Sequence, residues 1–449
     1  MGELFGTDGV RGVANRELTP LLALQLGMAA AAVLGNGNHA PQVLVGRDTR
    51  LSGDMLEAAL VAGLCSAGAK VILLGIVPTP AVAYCTRHSQ VDAGAVISAS
   101  HNPFEDNGIK FFSTEGCKLP DDLERHIEKL IRDWESIPRA HRERIGNVQR
   151  DNELIERYIA HLIASADCSL KGLRVVVDGA NGAAYSIAPR VLSQLGAEVI
   201  PIHCSPDGMN INAGCGSLHT QSMRQTVLEQ RADVGLSFDG DADRVIMSDG
   251  YGNEVDGDRI MAMSAVYLKQ ASRLRNNVLV ATIMSNLGLE EAMKRHGIRL
   301  ERTKVGDRYV AERMREMDAV LGGEQSGHII FAEYTTTGDG LLTALQVLAL
   351  MQRTGKPLSD LADVMDKYPQ IIRNVRVRDK YAWERYERAK EVEAWALKQL
   401  GNPSRVNIRP SGTEPVVRIM LEATDLARME QVADELEKIV LQACGEPEE

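Results

Sequence analysis

The amino-acid sequence predicts an α/β protein: three similar α/β domains with mixed or parallel sheets around a central cleft, plus a smaller C-terminal α+β domain. Three observations carry that expectation. The chain has 449 residues, too many for one hydrophobic core. One order of parts (strand, helix, strand, strand) recurs three times. Near residues 368–374 that pattern stops and a different one begins.

The first strand of each copy is a β-branched run, at residues 43–45, 175–177 and 278–281. A polar loop and an apolar-periodic helix follow, ending near Gly68, Gly196 and Gly297, where glycine suits the residue after a helix C-cap. Second strands fall at 71–74, 199–202 and 298–300, and third strands at 95–97, 234–238 and 319–321. Strands alternating with helices imply right-handed crossovers and parallel pairing. Residues 133–152 are charged, contain Pro138 and lack clean periodicity, which closes a first domain at 1–150. A glycine and aspartate cluster at 250–258 separates a second domain, 151–252, from a third, 253–368. The last domain, 369–449, carries two long amphipathic helices over 382–400 and 426–443, strands near Val375 and Val417, and a frayed tail at 446–449.

Composition narrows the function. With 44% hydrophobic and 25% charged residues the chain has ordinary globular composition. A net charge of −11 and only 4% aromatic residues argue against nucleic acid as a partner. The most apolar stretch, 21–35, is short for a membrane span and contains Gln25, so it reads as a core helix and no membrane is expected. Seven scattered cysteines, none spaced C-x-x-C, suit a reducing compartment. No basic-then-apolar leader is present, and Met1-Gly2 is followed by Gly6 where myristoylation wants Ser or Thr. The expected location is cytoplasmic, and a small anionic substrate held by local arginines and lysines is compatible with the charge.

Four segments carry chemistry. Residues 95–107 run from an apolar strand into Ser98-Ala99-Ser100-His101-Asn102-Pro103, presenting a serine hydroxyl where open α/β sheets place their ligands. Ser98 and Ser100 are both candidates, two apart and on the same side of an extended segment. His101 would then point elsewhere and be a poor base for Ser100. In the second segment Asp239, Asp241 and Asp243 alternate with Gly240 and Ala242, so an extended backbone aims all three carboxylates one way. Such charges repel unless a cation neutralises them, and hard oxygen ligands suit Mg²⁺. An EF-hand would need glycine and glutamate where Arg244 and Gly250 stand. A dehalogenase-type phosphatase would use an aspartate nucleophile and need no serine loop. The third segment, Gly323-Glu324-Gln325-Ser326-Gly327-His328, suits sugar hydroxyls, with Glu324 accepting from neighbouring ones. In the fourth, Arg409-Pro410-Ser411-Gly412-Thr413-Glu414-Pro415 with Arg418 offers backbone N–H groups, hydroxyls and forked guanidinium charge to a phosphate. Nucleotide-binding signatures are absent.

Together the four segments resemble the α-D-phosphohexomutase superfamily over essentially the whole chain, as its phosphoserine, magnesium, sugar and phosphate loops. The resemblance implies Ser100 as the phosphorylated residue, with Mg²⁺ bound by Ser100, Asp239, Asp241 and Asp243. It implies Arg11, Lys110 and His328 in proton transfer and charge stabilisation. Substrate binding would fall to Arg244, Glu324, Ser326, Arg409, Ser411, Gly412, Thr413 and Arg418. The opening Phe5-Gly6-Thr7-Asp8-Gly9-Val10-Arg11-Gly12 and the Glu-Gln-Ser-Gly-His variant are most similar to the branch that interconverts glucosamine 6-phosphate and glucosamine 1-phosphate. That implies a glucosamine 1,6-bisphosphate as intermediate and activator, for UDP-N-acetylglucosamine and cell-wall precursor synthesis. A branch acting on mannose or glucose phosphates and a metal-dependent sugar-phosphate phosphatase are the alternatives. An activating kinase and a homodimer are the partners the resemblance adds. No dedicated carboxylate for the amino group at carbon 2 is evident in the sequence.

Overall fold

The structure, a computed structural model, describes residues 4–6, 8–35, 39–411 and 415–446. Thr7, Gly412, Thr413, Glu414 and the tail from 447 onward lie outside the described residues. The chain forms two compact units: residues 1–284 with 297–364, and residues 285–296 with 365–449.

The first unit holds three sheets, each built on the recurring order of parts. In the first, Gln42–Arg47 pairs in parallel with both Lys70–Ile76 and Ala93–Ile97. In the second, Arg174–Asp178 does the same with Glu198–Ile202 and Val234–Phe238. In the third, Val278–Thr282 pairs with Arg299–Thr303 and Leu321–Gly323. The expected strands are therefore all present, with the last two shifted towards the C-terminus. Gly68, Gly196 and Gly297 each sit just past a helix with φ of +95°, +95° and +63°, a conformation glycine adopts without steric cost.

Parallel pairing is only half of each sheet. Every third strand turns back into an antiparallel neighbour that the sequence pattern did not reveal: Asp106–Ser113, Val245–Asp249 and Ile329–Phe331. The three polar loops are the connections of these hairpins, so they emerge at equivalent sheet positions. Val10–Val13 and Val148–Arg150 form the edges of the six-stranded first sheet, and Glu254–Val255 an edge of the five-stranded second. Val43, Val45, Val71, Ala95 and Ile97 pack with Leu26, Leu60 and Ile127 in one buried cluster. The apolar stretch of the sequence is the helix Pro20–Gly35, which packs on Gly53–Ser66. Among the described residues no helix is long and apolar enough to cross a membrane.

The second unit has one antiparallel sheet, ordered Gln370–Arg376, Val416–Ala423, Ser404–Pro410. The last of these strands was not anticipated. The expected long helix over 382–400 is two helices, Ala382–Arg385 and Ala389–Leu400. The break falls at Tyr386, whose backbone turns extended (φ −73°, ψ 111°) as its ring comes within 5.7 Å of Trp383 in the core. Leu426–Cys444 is continuous, capped by the Asp425 carboxylate accepting from the Arg428 N–H. All seven cysteines are free thiols; Cys85, Cys215 and Cys444 are buried and the other four half-buried.

Candidate active site

Ser100 and Asp239 stand on different sheets, 139 residues apart, and meet: the serine hydroxyl donates to Asp239 Oδ2 at 2.6 Å. Both residues are buried. The loop is not extended as the residue pattern suggested. Ser100 has φ of +52°, in the left-handed region, and this separates the roles of the two serines. Ser98 is absorbed in holding the loop, donating to Asp48 Oδ2 at 2.6 Å and accepting the Ser100 N–H at 2.9 Å. The same kink brings His101 Nδ1 to 3.5 Å from the Ser100 hydroxyl, so His101 does not point away. It is still a poor base. Burial, then the charges of Arg244 and Arg11, lower its pKa to about 4, and its Nδ1 already faces Arg244 Nη1 at 2.9 Å.

The loop's carbonyls are gripped from two directions. Arg50, entirely buried, donates through Nε to Asp48 and through its two terminal nitrogens to the carbonyls of Ser100, Asn102, Pro103 and Asp106. Asn212 donates to the carbonyls of Ser100 at 2.9 Å and Asn102 at 3.0 Å. Gly240 completes the seam: a Cβ there would stand 2.5 Å from Ser100 O and 2.8 Å from Asn212 Nδ2.

The three aspartates offer oxygens that all lie within 4.8 Å of one another. They converge through a turn rather than by strand alternation; Ala242 has φ of +57° and donates its N–H to Asp239 O. Thr79 and Lys110 both face Asp241 Oδ2, at 2.6 and 3.4 Å. Burial opposes the charge of Asp241, but Lys110, the Thr79 hydroxyl and Arg11 hold its carboxyl below the usual range. Burial, then the charges of Asp243 and Asp241, push Asp239 well up, and burial and Asp241 push Asp243 up. Asp241 Oδ1 and Asp243 Oδ1 are buried without a hydrogen-bond partner among the described residues. Orphaned hard oxygens in a site too crowded for three charges fit a divalent cation.

Beside the triplet lies a cavity of about 170 Å³ lined by Asp8, Arg11, Lys110, Asp243, Arg244, Asp307, Glu324 and His328, among others. A second cavity of about 340 Å³ shares Asp8, Lys110, Asp243, Asp307 and His328 with it. Ser100 is not in either lining; Asp239 links it there, its Oδ1 accepting the Arg244 N–H at 3.1 Å. Arg244 keeps its charge against burial because Asp243, Asp239 and Glu324 surround it. Burial likewise opposes the Lys110 charge, and Asp241 and Asp243 more than offset it. His328 accepts the Gly338 N–H at Nε2 (3.2 Å), which leaves the neutral ring's proton on Nδ1. Gly338 is required there, since a Cβ would meet that ring at 2.4 Å. Glu324 Oε1 accepts the Gly306 N–H at 3.1 Å. Ser326 is exposed at its loop tip and lines neither cavity.

In the second unit, Arg409 and Arg418 are directly opposite on neighbouring antiparallel strands, and the Ser411 N–H donates to Val416 O at 2.9 Å. Burial and then the charge of Arg418 lower the pKa of Arg409. Like charges so placed suit an anion.

Family models of phosphoglucomutase/phosphomannomutase match the chain in four successive pieces: alpha/beta/alpha domain I at residues 2–137, domain II at 156–252, domain III at 256–368 and the C-terminal domain at 373–439. The chain is 53% identical over 441 residues to the phosphoglucosamine mutase of Desulforamulus reducens, covering 98% of this chain and 99% of that one. It is 53% identical over 440 residues to that of Moorella thermoacetica, with 98% and 99% covered. Among solved structures, a phosphoglucomutase/phosphomannomutase family protein from Burkholderia thailandensis superposes with a TM-score of 0.83 at 24% identity, covering 98% and 97%. An N-acetylphosphoglucosamine mutase from Aspergillus fumigatus, in complex with GlcNAc-6P and magnesium, has the same fold with a TM-score of 0.69 at 18% identity, covering 98% and 96%. Fold and matches define an isomerase of the α-D-phosphohexomutase superfamily. Within that superfamily the chain belongs to the phosphoglucosamine mutase family.

Proposed function

We propose that the enzyme interconverts glucosamine 6-phosphate and glucosamine 1-phosphate through phosphorylated Ser100 and a glucosamine 1,6-bisphosphate. The observation that carries this reading is the Ser100 hydroxyl bonded to Asp239 beside two orphaned aspartate oxygens. In the first half-reaction the substrate's free hydroxyl forms a bond to phosphorus as the bond to Ser100 Oγ breaks. The hydroxyl proton leaves to a base in the cavity, and Ser100 regains a proton. After the ring reverses, the other phosphoryl group returns to Ser100 by the same path.

Asp239, Asp241 and Asp243, with an oxygen of phosphorylated Ser100, would hold Mg²⁺, which when bound withdraws charge from the transferring phosphoryl group. Lys110 and Arg11 bring fixed positive charge to the same wall, and His328, which also lines it, is proposed to take part in proton transfer. Glu324, with Ser326, is proposed to orient ring hydroxyls and Arg244 to bind substrate. Phosphate binding is the role proposed for Arg409, Ser411, Gly412, Thr413 and Arg418. Initial loading of Ser100 by the bisphosphate or a kinase, cytoplasmic location and a homodimer belong to the same proposal, as do domain boundaries at 150, 252 and 368.

The test is phosphorus NMR of the purified enzyme with glucosamine 6-phosphate, Mg²⁺ and a trace of bisphosphate. Glucosamine 1-phosphate should accumulate to equilibrium. Inorganic phosphate as the only product would favour the phosphatase, and faster turnover of glucose or mannose phosphates would favour the sister branch.

A further inference from the structure

Glucosamine differs from glucose by an ammonium group at carbon 2, and none of the roles proposed for the active-site residues matches that cation. We infer that the Asp307 carboxylate receives it and is the specificity-determining residue for the amino sugar, an assignment that rests on the proposed mutase function.

Four carboxylates line the smaller cavity beside the triplet, and three of them are committed. Asp8 lies 3.7 Å from Arg11, and Lys110 and Arg11 hold its carboxyl low against the effect of burial. Asp243 belongs to the triplet and faces Arg244 Nε at 3.6 Å. Glu324 accepts the Gly306 N–H. Asp307 differs: its Oδ1 accepts only the N–H of its neighbour Arg308, at 2.7 Å. The Arg308 guanidinium is turned to Asp121 and Glu312 instead, and among the described residues Asp307 has no cation within 4.0 Å. Asp307 also lines the larger cavity, whereas Glu115 and Glu312 line that one without reaching the smaller.

Its position also fits. Asp307 directly follows Gly306, whose N–H is bonded to Glu324, so the carboxylate adjoins the group proposed to hold neighbouring ring hydroxyls. Carbon 2 flanks such hydroxyls. The bland role of Asp307 is to favour the start of the helix Asp307–Glu316 through its dipole. That role has no preference between sugars, which makes the two separable.

The experiment measures kcat/KM of wild type, Asp307→Asn and Asp307→Ala on the 6- and 1-phosphates of glucosamine and of glucose. Both directions are needed, because reversal of the ring brings carbon 2 to Asp307 in only one orientation. The expected result is a loss of about tenfold or more for glucosamine in at least one direction, mainly in KM, with glucose changed less than about twofold. Equal losses for both sugars, or an unchanged ratio in both directions, would overturn the assignment. Asp307→Asn is nearly isosteric and reports even where the alanine variant does not fold. A wild-type enzyme inactive on glucosamine phosphates would instead sink the function on which the inference rests.

Discussion

Arg50 and Asn212, carried by the first and second repeats, donate to the same two carbonyls, those of Ser100 and Asn102. A loop with a left-handed serine is thus fixed by two side chains that share no segment of chain. Arg50→Lys replaces a planar five-donor fork by three donors on one nitrogen, leaving at least one of the carbonyls unserved. Stability should fall by about 2–3 kcal/mol, and kcat by about tenfold or more as the serine loses its aim. Urea unfolding and initial rates check both. A kcat equal to wild type in a destabilised variant would show that the grip serves folding alone.

Ser100→Ala removes one hydroxyl that donates to Asp239. Turnover should drop by about three orders of magnitude or more if the hydroxyl is the phosphoryl carrier, while thermal stability changes little. Intact mass should show wild type, and never the variant, carrying an added ~80 Da that phosphatase removes.

Three buried carboxylates with two orphaned oxygens should be relieved by a cation. Adding Mg²⁺ should raise the wild-type Tm in proportion to RT ln(1 + [L]/Kd), about 2.7 kcal/mol at a hundredfold excess over Kd. Asp239→Asn with Asp243→Asn should lose most of that response and be more stable than wild type without the ion. A scanning-fluorimetry series without any Mg²⁺ shift in wild type would count against the site.

Asp339 is buried, caps the helix Gly340–Thr354 through the Leu342 N–H and accepts from the Tyr158 hydroxyl at 2.9 Å. Burial raises its pKa to about 6, against the lowering effect of those two donors. Since the folded state holds this proton more tightly, the associated stability is full below pH ~4 and is lost as pH rises through about 6, an amount on the order of 2–3 kcal/mol. Asp339→Asn keeps the cap and cannot ionise. The difference in unfolding free energy between the two proteins should therefore change across that window and be flat above pH 7.

The core strands were legible because parallel strands buried on both faces read as near-continuous apolar, valine-rich runs, as at 43–45 and 175–177. Their antiparallel partners were not. Asp106–Ser113 begins Asp-Asn-Gly and Val245–Asp249 follows an aspartate-rich turn, so each reads locally as loop. Ser100 and the aspartates are legible as motifs, yet the backbone that aims them is not, since left-handed Ser100 and Ala242 give no signature in residue type. Thr79 and Asn212 carry no local pattern, because their roles arise from contacts across the fold. Arg50 had a usable signal: Arg47-Asp48-Thr49-Arg50 stands at the end of the first repeat's leading strand, where ligand loops gather.

The helix Leu287–Arg295 connects two neighbouring strands of the third sheet yet groups with residues 365–449, where the Leu287 N–H and the Asn286 amide are bonded to Glu422. The backbone accordingly passes between the two units at 284/285, 296/297 and 364/365. A protein cut at residue 364 would strand that helix, taking away the Glu422 carboxylate that receives the Leu287 N–H and the Asn286 amide at its start. Because the chain crosses three times, neither unit is a single continuous stretch, and neither can be lent to another protein by simple end-to-end fusion.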